Sequence, residues 1–304
     1  MTAAGRRRGR AAETLARLEL IEVTIEKLVM GGDGLARYEG IPIFVPQAVP
    51  GDRLRVRLVQ RRPDYARAAI VEVLEPGPGR RPSPCPYFER CGGCDLQQID
   101  DELQPPLKAA AVVETLARLG RLEMPPPELI TGDAWGYRLR AQLHAAAGDG
   151  GAEVGYYARG SRELVAVDRC PILVPELEAV LADLATALPD QPPRRLDLAA
   201  GGEGGWTMAP VVAGLPRGPV ELAVSEHTYR FDARAFFQSH RGLLPRLVEI
   251  AVGPWRGETA CDLYAGVGLF TLPMARRYRQ VVVVPEGAPE YEKARGYERA
   301  AERD

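Results

Sequence analysis

The chain has 304 residues, enough for two or three domains with cores of their own. Its 39 basic and 41 acidic residues nearly cancel, which excludes a globally basic nucleic-acid binder but leaves room for a local basic face. No run of about 18 apolar residues is present and the N-terminus lacks an apolar signal core, so no membrane partner is expected and the expected location is cytoplasmic.

The opening stretch "GRRRGR" (Gly5 to Arg10) reads as a basic arm, and "AAETLARLE" after it as a short helix; residues 1–19 form the first segment. Only Lys27, Lys108 and Lys293 are lysines, so 36 of the 39 basic residues are arginine. Arginine binds phosphate bidentately and stacks on bases. From Leu20 the pattern turns to short alternating strands: "LIEVTIEKL", "GLARYEG", "IPIFVPQAV", "DRLRVRLVQRR" and "YARAAIVEVLE", parted by "GGDG", "YEG" and "VPGD". About five such strands within residues 20–77 predict a small OB-like β-barrel. In "RLRVRL" Arg53, Arg55 and Arg57 fall on one strand face and Leu54, Val56 and Leu58 on the other. The arginine face is either a solvated surface or an RNA contact.

"EPGPGRRPSPCP" (Glu75 to Pro86) breaks regular structure and places a domain boundary near residue 78. Directly after it, "CPYFERCGGC" sets Cys85, Cys91 and Cys94 within ten positions, and Cys170 in "DRCPIL" is a distant fourth. In a reducing compartment such a cluster points to metal rather than disulfides. Thiolates are soft ligands suited to zinc or to an iron–sulfur cluster, and spacing alone leaves both open. A helix is predicted from about Leu107 to Gly120. The region to residue 240 then reads as β-rich α+β, with strands in "MPPPELITGDAWGYRLRAQLHAA", "EVGYYARGSRELVAV", "GWTMAPVVA" and "PVELAVSEHTYRFDARAFFQSH", and a helix in "PILVPELEAVLADLATALP".

Residues 241–304 begin an α/β doubly wound domain. "LLPRLVEIAV" is helical, "ETACDLYAGVGLFTLPMARRY" is a strand, a glycine loop and a helix, and "QVVVVPEG" is a strand ending in an acid. Gly266 and Gly268 let a backbone approach a ligand closely at the carboxyl end of a strand. Glu286 stands at a distance fit for gripping a ribose. Cys261, next to Asp262, reads as a packing residue of a buried strand.

Together these segments resemble the bacterial 23S rRNA (uracil-5-)-methyltransferases. "GGDGLARYEGIPIFVPQAVPGD" resembles a TRAM domain, an RNA-binding barrel; "CPYFERCGGCDLQ" with the later "CPI" resembles that family's cluster signature; "FDARAFFQSH" and "DLYAGVGLFTL" resemble the entry to its S-adenosylmethionine domain and the cofactor loop. The resemblance implies a 4Fe-4S cluster on Cys85, Cys91, Cys94 and Cys170, and S-adenosylmethionine contacts from Gln238, Tyr264, Gly266, Gly268, Leu269 and Glu286. It implies RNA, of the ribosomal kind, as partner. His240 stands where the family usually has asparagine, and Pro285 where it has a non-proline residue. Carbon-5 methylation of uracil needs a cysteine to add at carbon 6, a base and an orienting carboxylate. In the family these lie beyond the glycine loop, and no residue of this chain takes those roles. The reading therefore expects a C-terminally truncated methyltransferase segment, which either docks on the middle domain or is completed by a second chain, or else a non-catalytic RNA-binding iron–sulfur accessory protein or pseudoenzyme.

Overall fold

The computed structural model describes residues 20–148 and 150–284 and groups the chain into two compact units, residues 1–131 and 132–304. The basic arm, the helix expected in residues 11–19 and Glu286 lie outside the described residues.

The first unit is built on a six-stranded sheet of β1 (Leu20–Thr24), β2 (Lys27–Leu28), β3 (Gly34–Tyr38), β4 (Ile41–Val45), β5 (Arg53–Arg61) and β6 (Ala66–Glu75), in the order β1-β5-β6-β4-β3-β2. All pairs are antiparallel except β4–β6. Alternation works as the sequence predicts. Leu54, Val56 and Leu58 turn inward with Ile21, Val23, Ile41, Ile43 and Val45 into one apolar core. On the opposite face of β5, which the sequence leaves as a solvated surface or an RNA contact, two of the three arginines are already paired. Arg53 is held by Glu75 and Glu22, and Arg55 by Glu22 and Glu72, across the neighbouring strands. β1 and β6 place a carboxylate opposite each of these two arginines, so a phosphate would have to displace it.

The cysteine loop and the helix after it pack with this barrel, whereas the sequence assigns them to the central region. Ile99 is fully buried against Leu28 and Val49, with Leu96 and Leu107 beside it. The junction is stapled by Asp52, which is 0% exposed. Its carboxylate accepts from the backbone N–H of Val49 (2.6 Å) and of Gly77 (2.8 Å), and from Arg80 Nε (2.8 Å) and Nη2 (2.6 Å). Four charge-assisted donors satisfy a group that would otherwise be costly to bury. The helix spans Gln104–Thr115, starting earlier than predicted because Pro105 and Pro106 occupy its first turn, where a missing N–H costs nothing. Leu116–Gly120 continues as a π turn closed by Arg121 in the left-handed region.

The second unit carries a five-stranded antiparallel sheet in the order β11-β10-β7-β8-β9, from β7 (Arg140–Gly148), β8 (Gly151–Tyr157), β9 (Leu164–Ala166), β10 (Arg195–Ala200) and β11 (Trp206–Ala209). Residues 122–137 are not strand, contrary to expectation, since Pro125, Pro126 and Pro127 withhold the N–H groups a ladder needs. β10, unforeseen in "RLDLAA", lies between β7 and β11. Helix Pro175–Ala187 buries Leu177, Leu181 and Leu184, which recur at the expected three and four spacing. A hairpin of β12 (Val220–Val224) and β13 (His227–Phe231) follows, then helix Leu244–Val252. The last elements are β14 (Gly257–Leu263), helix Thr271–Ala275 and β15 (Tyr278–Val284); β14 and β15 pair in parallel, as a doubly wound arrangement requires. Among the described residues no helix is long and apolar enough to cross a membrane.

Candidate functional site

The glycine loop runs from Tyr264 to Phe270, between the carboxyl end of β14 and helix Thr271–Ala275. Three of its residues take positive φ: Tyr264 (60°), Gly266 (56°) and Gly268 (83°). Glycine meets that demand without strain; Tyr264 does not, and its side chain stands 75% exposed. The loop is closed at its base. Asp262, the penultimate residue of β14, is 4% exposed and accepts the hydroxyl and backbone N–H of Thr271. Burial pushes the Asp262 carboxyl above its ordinary range, and the Thr271 hydrogen bonds oppose that rise. The strand end and the helix start are thus pinned together, and the glycines between them bend outward.

Two contacts buttress the loop. The Tyr229 hydroxyl on β13 donates to the Leu269 carbonyl at 2.9 Å, and both residues are buried. The segment after β13 then passes beside Gly266. A Cβ built at Gly266 would lie 3.6 Å from the Phe236 carbonyl and 3.9 Å from its ring. In that segment side chains alternate in direction. Phe237 is 2% exposed and stacks on Phe231 at 4.4 Å, while Phe236 is 60% exposed and Gln238 half-buried.

The predicted cofactor residues therefore fall into three groups. Tyr264, Gly266 and Gly268 form the loop itself, and the segment carrying Gln238 passes alongside it. Leu269 presents its main chain rather than its side chain. It is 5% exposed, its side chain fills the core, and its carbonyl is taken by Tyr229. Glu286 lies outside the described residues. Phe236, set against Gly266, was missed by sequence reasoning, although the doubled aromatic in "AFFQ" is its signal. Cys261 is a further correction: it is exposed, because β14 pairs with β15 alone among the described strands and only Asp262 of β14 is buried.

In the first unit, Cys85, Cys91 and Cys94 are each half-buried in a turn-rich loop. Ser83 Oγ accepts from Cys85 N at 3.2 Å, and Tyr87 O accepts from Cys91 N at 2.7 Å. The Gly93 N–H points at Cys91 Sγ at 3.4 Å, the kind of donor that stabilises a thiolate. Arg81 pairs bidentately with Asp101, and Gln47 Nε2 donates to Phe88 O at 2.9 Å, so the loop is tied at several points. Cys170 belongs to the second unit. It is 8% exposed, with the Tyr156 hydroxyl 3.9 Å from its sulfur. Among the described residues no group of three or more His, Cys, Asp or Glu side chains is arranged to hold a metal ion. The donor chemistry of the loop nonetheless suits a soft metal.

A barrel followed by a strand–glycine loop–helix, with the loop at the carboxyl end of a parallel strand, defines a class of protein that couples a nucleic-acid-binding type of barrel to a nucleoside-cofactor type of loop. The TRAM domain family matches residues 18–71. The chain is 33% identical to the 23S rRNA (uracil(1939)-C(5))-methyltransferase RlmD of Chromohalobacter salexigens over 88% of this chain and 66% of that protein. It is 32% identical to the protein of the same name from Alkalilimnicola ehrlichii, over 92% of this chain and 73% of that one. This chain belongs to the family of 23S rRNA (uracil-C5)-methyltransferases. It spans about two thirds of the length of these relatives. Their similarity lends no support to the expected second chain. The crystal structure of Pyrococcus abyssi tRNA (uracil-54, C5)-methyltransferase in complex with S-adenosyl-L-homocysteine superposes with a TM-score of 0.65 over 93% of this chain and 78% of that one; at 18% identity it shows a shared fold.

Proposed function

We propose that this chain acts in the S-adenosylmethionine-dependent methylation of a uridine at carbon 5, with ribosomal RNA as the substrate. The observation that carries the reading is the pinned glycine loop after β14, in a chain related over most of its length to RNA uracil methyltransferases. Gly266 and Gly268 bring the main chain close to the cofactor, Tyr264 covers it, Gln238 reaches it from the neighbouring segment, and Glu286 takes the ribose hydroxyls. Leu269 serves through its main chain. S-adenosylmethionine supplies an electrophilic methyl group; the residues named here hold it and exclude water. The barrel holds RNA whose target base has left its stack. Cys85, Cys91, Cys94 and Cys170 hold a 4Fe-4S cluster, with zinc as the alternative occupant; its role is to shape the RNA-binding region, since methyl transfer consumes no electrons.

One observation favours a second reading, an RNA-binding iron–sulfur protein without catalysis of its own. Cys261 lies outside the four-cysteine set, and on β14 it faces the opposite side from buried Asp262. The two adjacent residues thus do not form a thiol–carboxylate pair. Calorimetric titration of the anaerobically purified chain with S-adenosylhomocysteine, with iron counted on the same sample, tests both parts. Stoichiometric binding and about four irons per chain support the reading. Absence of binding refutes the cofactor assignment, and one zinc with no iron refutes the cluster.

A further inference from the structure

Arg140, the first residue of β7, does something that sequence motifs do not mark. Its guanidinium is partly buried, and its hydrogen bonds go to main-chain carbonyls: Nη2 to Ala233 O at 2.8 Å and Nη1 to Ala235 O. Both alanines are buried, Ala233 at 1% and Ala235 at 5% exposure. Burial, and to a lesser degree the Arg195 charge, lowers the affinity of this guanidinium for its proton, opposed by the carboxylates of Asp197 and Asp232, so the site pays in desolvation for what these bonds provide. An arginine needed only for packing would be replaceable by an apolar side chain.

The two carbonyls flank the turn from which Phe236 meets Gly266. That turn is braced elsewhere as well. Asp232 Oδ1 accepts Arg234 N at 2.9 Å, Asp232 O accepts Ala235 N at 3.1 Å, Phe237 stacks on Phe231, and Leu139 N donates to Ser239 O at 2.8 Å. Phe237 and Ser239 hold the segment from behind and from its far end. Among the described residues, the side-chain hydrogen bonds to the Ala233 and Ala235 carbonyls, which set the direction of Phe236, come from Arg140. Rotation of either peptide plane would carry the Phe236 carbonyl away from, or into, the space above Gly266, where a Cβ would lie 3.6 Å from that oxygen.

We propose that Arg140 is a positioning residue: it clamps the carbonyls of Ala233 and Ala235 and thereby fixes the wall of the cofactor loop beside Gly266. The proposal rests on the reading of that loop as the S-adenosylmethionine site. A fork of fixed donors can hold two carbonyls at once; an ammonium holds them less rigidly.

The test uses the full chain with Arg140→Met, Arg140→Lys and, as a stability control, Leu181→Ala, which opens a cavity under helix Pro175–Ala187 away from the loop. Affinity for S-adenosylhomocysteine is measured by calorimetry, thermal stability by the melt, and main-chain protection of residues 232–240 and 264–270 by hydrogen exchange. Arg140→Met is expected to weaken binding by roughly 10-fold or more, through misplacement alone. It should speed exchange in both segments, while Leu181→Ala lowers the melting temperature at least as far and leaves affinity within about 2-fold. Arg140→Lys recovers part of the affinity; if Arg140→Met does not fold, Arg140→Lys against wild type carries the comparison. An affinity for Arg140→Met or Arg140→Lys equal to that of Leu181→Ala overturns the proposal. If wild type itself does not bind S-adenosylhomocysteine, the cofactor reading fails. The clamp is then judged by exchange alone: faster exchange at 264–270 in the Arg140 variants supports it, and unchanged exchange there overturns it.

Discussion

Replacing Arg80 by alanine leaves the Asp52 carboxylate buried at the junction of barrel and cysteine loop with two of its four donors gone. Hydrogen bonds to charged groups contribute about 1.5–3 kcal/mol each, so losing two costs roughly 3–6 kcal/mol before relaxation. Breaking a buried pair by removing one partner costs about 3–5 kcal/mol in general. Arg80 is 17% exposed, so water can enter the vacated space, and the lower end, about 3 kcal/mol, is the expected value. The neighbouring pair Arg81–Asp101 is a built-in control, being bidentate too but 23% and 31% exposed. Arg81→Ala should cost about 1 kcal/mol or less. Tryptophan emission will not report this, because Trp135, Trp206 and Trp255 all lie in the second unit. Native-state hydrogen exchange at the buried barrel strand β5, read at Leu54 and Val56, is the suitable assay. Arg80→Ala should speed it by about 100-fold and Arg81→Ala by less than about 10-fold. Equal effects of the two variants would refute the argument that burial of Asp52 sets the cost.

Three further outcomes follow from the same geometry. Gly77→Ala puts a Cβ 2.5 Å from Pro50 O and 2.7 Å from Asp52 N, both main-chain atoms that cannot swing aside, and should destabilise the barrel by about 2–4 kcal/mol in the same exchange assay. Arg53→Ala and Arg55→Ala remove arginines already held by glutamates, so RNA affinity measured by anisotropy and its salt slope should stay unchanged; a slope shallower by about 1 for either variant would show a phosphate contact there. Because burial raises the Asp262 carboxyl above its unfolded value, the native state binds that proton more tightly than the unfolded chain does. The destabilisation it brings is present above the raised value and fades as pH falls through it. Wild type should therefore gain stability relative to Asp262→Asn on going from pH 7 toward pH 4, followed by tryptophan emission of the second unit; a constant difference would refute that sign.

The barrel was legible because a strand's period of two was written into β5, β4 and β1 without interruption, and the parallel β14–β15 pair because a glycine-rich turn stands between two apolar runs. What the sequence hid was decided by partners far along the chain. The Glu22, Glu72 and Glu75 side chains that occupy Arg53 and Arg55 are visible as residues, but their register opposite β5 is not. β10 escaped because "RLDLAA" is short, ends in small apolar residues and sits between a proline-rich stretch and Gly201-Gly202. Cys261 looked buried by its apolar neighbours, yet burial depends on what covers a strand's face. At the candidate site the glycines were readable. The support from Tyr229 and Arg140 joins positions 40 to 95 residues apart, and local pattern carries no trace of it.

The central claim is that this chain serves methyl transfer to carbon 5 of a uridine in ribosomal RNA. Its most direct test is calorimetric titration of the full chain with S-adenosylhomocysteine, with and without unmodified 23S ribosomal RNA. Both ligands are predicted to bind the chain together, and S-adenosylhomocysteine binding to be lost when Gly268 is replaced by valine. RNA bound without S-adenosylhomocysteine, or equal S-adenosylhomocysteine binding by the Gly268→Val variant, would contradict it.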